Sequence, residues 1–367
     1  MKNRNILLTI AIIMTLISCN RTDFSNPEDV IKDFNQYANK DENGKLYDDY
    51  LSAKSKEFVT KDEFQKERMF QDSVLKTIKS IDKKISTFPV DASYPTYRRF
   101  KVDETVLFKK DTTKTRNYYT LINENGKWKI IWTNTLLSFA EQKSFNGDCA
   151  GARKTAEKII ELNPFDGAAY NELAACYYRD NSLPRYEREK GVVKNIKYAL
   201  SLEEDNSNHY NVLSAYYSDM QEEDLSIQSL LSALKYCLNK SDKTILYTNI
   251  GNSYLALNKY DDAAEYLKKA LQIDPNYTGA WFRLGVQMEA RGRIDDAMKY
   301  FEHAISLPKM ESELQGILYY EYSKCCYKKS KCEVAKDYIG KALVIDPSNE
   351  TYQYLYSIIK NCNKKTQ

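Results

Sequence analysis

The sequence predicts an α+β N-terminal domain, helices first and an antiparallel sheet second, followed by an all-α array of stacked helical pairs. Three observations predict it. Between Asn20 and Trp132 the apolar spacing changes from helix-like to alternating, the difference between one face of a helix and one face of a strand. Two β-rich runs flank Asn125-Gly126, a dipeptide suited to the positive φ angles of a tight hairpin turn. From Thr133 onward a pattern of small and aromatic residues closed by proline recurs about every 34 residues.

With 367 residues, 43% hydrophobic and 29% charged, the chain suits a folded protein with more than one core. The formal net charge of +3 falls further if Lys2 and Arg4 leave with a leader, so there is no electrostatic case for a nucleic-acid partner. Residues 1–19, "MKNRNILLTIAIIMTLISC", have the form of such a leader: a basic start, an apolar run from Ile6 to Ile17 too short to span a bilayer comfortably, and Ser18 before Cys19. Leu16-Ile17-Ser18-Cys19 resembles a bacterial lipoprotein box. The resemblance implies cleavage before Cys19, lipidation of that residue and a membrane anchor, and Asn20 after it implies the outer membrane, on its periplasmic or surface face. The remaining cysteines form no C-x-x-C, and the two histidines, His209 and His303, lie far apart. Neither a metal, nor a cofactor, nor a Cys/His nucleophile is expected.

The α+β domain is expected over residues 20–132. In "NPEDVIKDFNQY", Asn26 suits the cap, Pro27 the first helical position, and Glu28 and Asp29 the positive helix end. Val30, Ile31, Phe34 and Tyr37 form one apolar stripe. Leu46, Tyr47, Tyr50 and Leu51 suggest a second short helix, and Thr60 with Glu63 a capping box that opens a third carrying Phe64. Phe100, Val102, Val106 and Phe108 then alternate with Arg99, Lys101, Asp103, Thr105 and Leu107, as in a strand with one buried face, and "NYYTLINENGKWKIIW" supplies the hairpin. Glu104 falls in phase with the apolar face. The expectation is that a strand edge or bulge turns it outward; the alternative is an inward carboxyl whose pKa burial would raise. The order of elements and the closing "NGKWKIIW" strand resemble the nuclear transport factor 2-like cone fold over roughly residues 27–132. That resemblance implies a curved sheet around a long helix and, in enzymatic members, a carboxylate, tyrosine or histidine inside the cone. Histidine is missing from this stretch, and its tyrosines are read as core residues with wet hydroxyls.

The array is expected over residues 133–349 as six units, starting near Thr133, Gly167, Ser207, Thr244, Thr278 and Gly316. In the unit from Thr244, Tyr247, Ile250, Gly251, Tyr254, Ala263, Leu267, Ala270 and Pro275 stand where the tetratricopeptide repeat has its signature residues; the chain resembles that family position for position. Small residues let paired helices approach, aromatics fill the space between them, and proline ends the second helix because it lacks an amide hydrogen. The second unit carries an insertion around "RDNSLPRYEREKG". A capping helix from Glu350 to about Asn361 and a solvated tail complete residues 350–367. Most cysteines, Cys332 included, fall at packed repeat positions and are read first as core residues; the alternative is an oxidised pair such as Cys332 with Cys326 or Cys362. The predicted fold class is therefore an α+β N-terminal domain, helices followed by a curved antiparallel sheet, plus an all-α tetratricopeptide repeat superhelix.

In this family the first helices of the pairs line a concave groove that holds peptides. The resemblance implies a groove made by Asn171, Tyr178 and Arg179; Asn208 and Asn211; Asn249 and Asn252; Phe282 and Arg283; and Tyr320, Lys324, Tyr327 and Lys328. Amides can bond an extended backbone, aromatics supply contact area, and the cations could meet an acidic segment. The carboxylate clamp of some relatives is not present as a set, since Thr248, Asn252, Arg283, Ile317 and Glu321 occupy its positions. The expected function is that of a non-enzymatic, membrane-anchored adaptor that binds a protein or peptide. Two alternatives stay open: a small-molecule-binding or weakly hydrolytic lipoprotein using the N-terminal cone, Glu104 included, and an accessory to a glycan-uptake system.

Overall fold

The computed structural model describes residues 24–37, 46–69, 78–88, 90, 92–108, 112–308, 312–360 and 362. The leader with Cys19 and the tail at 363–367 lie outside the described residues. Helix α1 (Pro27–Tyr37) starts where the Glu28 amide donates to Asn26 Oδ1 at 3.0 Å, and Val30, Ile31 and Phe34 are buried. The second expected helix is instead a single π-type turn, Leu46–Tyr50, because Leu51 and Ser52 are drawn to a strand: Leu51 bridges Ile130, and the Ser52 amide donates to the Ile130 carbonyl at 2.8 Å. Ser52 then caps a short helix α2 (Ala53–Lys56). The capping box opens α3 (Lys61–Met69) reciprocally, with Glu63 N–H donating to Thr60 Oγ1 at 3.2 Å and Thr60 N–H to Glu63 Oε2 at 2.9 Å.

Four antiparallel strands follow in meander order: β1 (Ile78–Phe88), β2 (Tyr97–Phe108), β3 (Thr112–Glu124) and β4 (Lys127–Ile131). The β3–β4 turn has φ of 54° at Asn125 and 80° at Gly126, the left-handed pair that a two-residue hairpin requires. On the inner face, Phe100, Val102, Leu121, Trp128 and Ile130 pack against Val30, Ile31 and Phe34 of α1, and Trp132 fits between Phe34 and Phe64 at ring distances of 6.0 and 5.2 Å.

Contacts divide the chain into two compact units, one running to Tyr216 and including 235–239, the other holding 217–234 and 240 onward. The division falls within the helical pairs, so the sheet and the first pairs belong to one unit. These pairs are α4 (Asn134–Phe145) with α5 (Cys149–Leu162) and α6 (Gly167–Arg179) with α7 (Arg185–Leu202), followed by α8 (Ser207–Asp219). The insertion lengthens α7 to 18 residues and forms a loop in which Asp180 pairs with Arg153 at 2.6 Å. Tyr97, Ile122 and Ile131 on the outer sheet face pack against Phe165 and Leu202. Around them Arg99 donates to the carbonyls of Leu202 and Phe165, at 3.1 and 3.3 Å. Asp205 receives Lys101 at 2.8 Å, Arg116 at 3.0 Å and the Tyr118 hydroxyl at 2.5 Å. Burial alone would raise the Asp205 pKa, but Lys101, Tyr118 and Arg116 together hold it below the ordinary carboxylate value.

The second unit carries α9 (Glu223–Tyr236, apart from its last turn), α10 (Lys240–Ala256) with α11 (Tyr260–Ile273), α12 (Thr278–Ala290) with α13 (Ile294–Ser306), α14 (Ser312–Lys328) with α15 (Cys332–Ile345), and α16 (Glu350–Ile359). Close approach within a pair is literal: a Cβ on Gly285 would lie 2.4 Å from the Phe301 ring, and Ala297 and Ala304 are fully buried. Pro164, Pro275 and Pro347 each stand two residues past a helix end, at Leu162, Ile273 and Ile345. Cys332 at the start of α15 is bonded to Cys362 just beyond α16, with a Cα separation of 5.9 Å, while Cys149, Cys176, Cys237, Cys325 and Cys326 are buried and share no disulfide among the described residues. The architecture is an N-terminal four-stranded antiparallel sheet with helices, followed by tetratricopeptide-type helical pairs.

Candidate functional site

In the second unit the first helices of the pairs, α10, α12 and α14, touch in succession, so their free faces form one continuous side. Asn249 and Asn252 lie one turn apart on α10, both half-buried. On α12 the two groove candidates part company. Phe282 is only 6% exposed and packs at 6.0 Å on Phe301, so it is a core residue and does not supply groove area. The cause is helical phase: Phe282 shares the buried side with Gly285, whose missing side chain brings the Phe301 ring close. Arg283 is half-buried, with its guanidinium carbon 5.2 Å from the Phe282 ring. Among the described residues it has neither an ion pair nor a hydrogen bond. Burial lowers its pKa, against the pull of Tyr277.

The expected basic stripe on α14 is neutralised. Lys324 Nζ lies 3.2 Å from Glu289 Oε2 and also pairs with Glu321, and Lys328 Nζ lies 2.7 Å from Glu289 Oε1. These lysines are therefore not free to meet an acidic segment, which corrects the charge expected of this face. Glu289 and Glu321 were the residues to notice: in the repeat register both stand at groove-lining positions, so the signal was present in the sequence. Tyr320 stacks on Tyr352 at 5.4 Å with Lys324 above its ring at 5.6 Å, and Tyr327 is half-buried beside the core.

The groove candidates of the first unit have more structural surroundings. Arg179 donates to Ser144 Oγ at 2.7 Å, tying α6 to α4. The carbonyl of Tyr178 accepts from Arg188 at 3.5 Å. Asn171 is half-buried, with an Oδ1 that accepts no hydrogen bond. Asn208 is exposed and Asn211 half-exposed on α8.

Glu104 overturns the expectation of an outward carboxyl. No bulge interrupts β2 near it; it pairs in register with Lys83 and Thr115, and it is 1% exposed. Lys83 Nζ stands 3.1 Å from its Oε1. Burial pushes the Glu104 pKa up to about 7, with Lys83 opposing. Strand β1, which carries Lys83, escaped sequence reasoning because its lysines blur the alternation, as suits an edge strand.

The tetratricopeptide repeat family model matches residues 140–185 and 245–277. The TPR repeat-containing protein MJ1428 of Methanocaldococcus jannaschii is 26% identical over 181 residues, covering 44% of this chain and 28% of that protein. A DnaJ homolog subfamily C member 7 homolog of Dictyostelium discoideum is 28% identical over 183 residues, covering 48% of this chain and 31% of that protein. The chain thus spans under a third of the length of these relatives. Among solved structures, the APC/C hetero-tetramer Cut9-Hcn1 is similar with a TM-score of 0.50 at 14% identity, over 62% of this chain and 42% of that one, a likeness of fold alone.

Proposed function

We propose, for a chain that carries tetratricopeptide repeats, a non-catalytic adaptor that holds a protein or peptide segment on the first-helix face of α10, α12 and α14. The supporting observation is Arg283: on a face where Lys324 and Lys328 are already matched by Glu289 and Glu321, it is a half-buried cation with no partner among the described residues. A partly desolvated guanidinium beside an aromatic ring gains most from one planar carboxylate. Asn252, on the neighbouring helix, offers a donor and an acceptor to an extended backbone. The segment this face suits is therefore extended and carries one acidic group, not an acidic run.

The leader and Cys19 add export and a lipid anchor to this reading, placing the adaptor at the envelope. Labelling with a fatty-acid analogue in a bacterial host, with Cys19→Ala as the control, tests that part. The groove is tested by capturing the partner with the full mature chain, mapping its bound segment and titrating that peptide calorimetrically. Arg283→Gln should weaken the peptide by at least tenfold, and Lys328→Ala should change it little. Equal affinity for Arg283→Gln and the parent chain overturns the reading.

A further inference from the structure

Helix α7 (Arg185–Leu202), the second helix of its pair, carries a charged stripe that neither the sheet nor the groove uses. Gly191, Val192, Asn195, Ile196, Ala199 and Leu202 are buried on one side of it. At about 100° per residue, the opposite side gathers Tyr186, Lys190, Lys194, Lys197 and Tyr198, all exposed. Tyr186 is 70% exposed and Tyr198 44%. Lys190 lies over the Tyr186 ring at 5.9 Å, and Tyr198 meets Tyr170 of α6 at 4.5 Å. Among the described residues, none of the three lysines has an ion pair or a hydrogen bond. Lysines on other second helices do: Lys158 with Glu161, Lys269 with Glu265 and Lys341 with Asp337, at 2.9, 2.7 and 2.7 Å. Arg185 is matched by Glu189 at 2.7 Å, so the stripe sets three cations against the single exposed carboxylate of Glu187.

We infer that this stripe is a contact surface for an anionic lipid bilayer. It runs about 18 Å along the helix from Tyr186 to Tyr198, with a tyrosine at each end and the lysines between. Unpaired ammonium groups on one side of a helix are drawn to a plane of negative headgroups. Tyrosine suits the headgroup layer, because its ring is apolar and its hydroxyl polar. Lysine stems lie along such a layer while their ammonium groups stay hydrated, and a point charge needs no fixed partner geometry. An acidic peptide fits less well. These side chains stand out in solvent, so a bound segment would gain little desolvation, and none of them offers the planar fork that pairs a carboxylate twice. The lipid anchor proposed at Cys19 would keep the chain beside a bilayer, but the charge argument does not depend on it.

The test is co-sedimentation of the full mature chain carrying Cys19→Ala, which takes no lipid. The probes are vesicles of phosphatidylglycerol and phosphatidylcholine mixed one to two, and vesicles of phosphatidylcholine alone. Leaving out the anchor means that failure of the lipoprotein reading does not touch this one. The chain should sediment with the mixed vesicles only. Raising the ionic strength from about 0.1 to about 1 M should release it, because the Debye length falls from about 10 to about 3 Å. Lys190→Gln, Lys194→Gln and Lys197→Gln together should weaken binding about 100-fold, at about fivefold for each lysine near the surface. The control removes the same charge elsewhere: Lys158→Gln, Lys269→Gln and Lys341→Gln together should weaken binding by less than about threefold, because none lies on the stripe. All six positions carry side chains on helix surfaces, so both triple variants should keep the melting temperature of the parent. Three results overturn the inference: no preference for the mixed vesicles, equal loss in the two triple variants, or binding of soluble poly-glutamate through the three lysines with the vesicles left unbound.

Discussion

Glu104→Gln tests the inner face through its pH dependence. The Glu104 carboxyl moves from an ordinary 4.5 to about 7 because burial disfavours its charged form more than Lys83 restores it. Between those two values the folded protein holds the proton and the unfolded chain releases it. The group's contribution is therefore fully present below pH 4.5 and is lost as pH rises through about 7. The shift converts to roughly 3 kcal/mol of stability lost across that window. Glutamine does not titrate, so the variant should lack this slope; Lys83, whose pKa burial lowers and Glu104 supports, loses that support in the variant, and any slope it adds has the opposite sign, stability rising with pH. Urea unfolding followed by tryptophan fluorescence is the assay. Trp128 and Trp132 sit in the core of the sheet, so Trp281→Phe, in the second unit, isolates their signal. Equal slopes for parent and Glu104→Gln across the window, or a parent stability that rises with pH by more than the variant's, would refute the argument that this carboxyl is buried with one weak partner.

Three further outcomes follow from packing. Gly285→Ala places a Cβ 2.4 Å from the Phe301 ring and should destabilise the second unit by about 1–3 kcal/mol, read by urea unfolding, with partial recovery when Phe301→Leu is added. Cys362→Ser opens the loop of sequence separation 30 closed by the Cys332 bond, which the chain-entropy model puts at about 3–4 kcal/mol, and hydrogen exchange should rise in α16 before it rises elsewhere in the unit. Asp205→Ala strips Lys101, Arg116 and Tyr118 of their shared acceptor and should lower the stability of the first unit by about 3 kcal/mol at neutral pH. Because the Asp205 pKa is depressed, that contribution is present above 3.8 and disappears as pH falls through the folded value, so acid unfolding of parent and variant should converge.

What was legible in the sequence is what local chemistry dictates. Asn26, the Thr60 and Glu63 pair, and Asn125-Gly126 act through their own neighbours, and each appears where spacing put it. The repeat register was equally readable, because Gly285 and Phe301 have to meet for a helical pair to close. Phe282 misled because position in a repeat fixes the face of a residue only to within the width of a helix side chain, and an aromatic beside a glycine gap turns inward. Lys324 and Lys328 misled because charge on a face is a sum over helices, and Glu289 reaches them from another one. Strand β1 and the inward course of Glu104 depend on pairing partners distant in sequence, which no local window contains.

The two faces of the sheet differ in how far their polar groups find partners. Strand periodicity sets the two faces one residue apart along the same strands. On the outer face Arg99, Lys101, Asp103, Arg116 and Tyr118 are each engaged: Arg99 with two carbonyls, Arg116 with Asp103 at 2.6 Å, and Lys101, Arg116 and Tyr118 with Asp205. On the inner face, at the alternate positions, Glu104, Thr115 and Asn117 leave four polar atoms without hydrogen bonds. A fold that satisfies its polar groups on one side of two strands has the geometric means to do so on the other; valine at 104 and 115 would have extended the apolar row of Val102 and Val106 and removed the cost. Thr115→Val removes a buried hydroxyl that has no hydrogen bond, so it should leave the melting temperature unchanged or raise it, and a clear fall in thermal unfolding would show that the fold needs that hydroxyl.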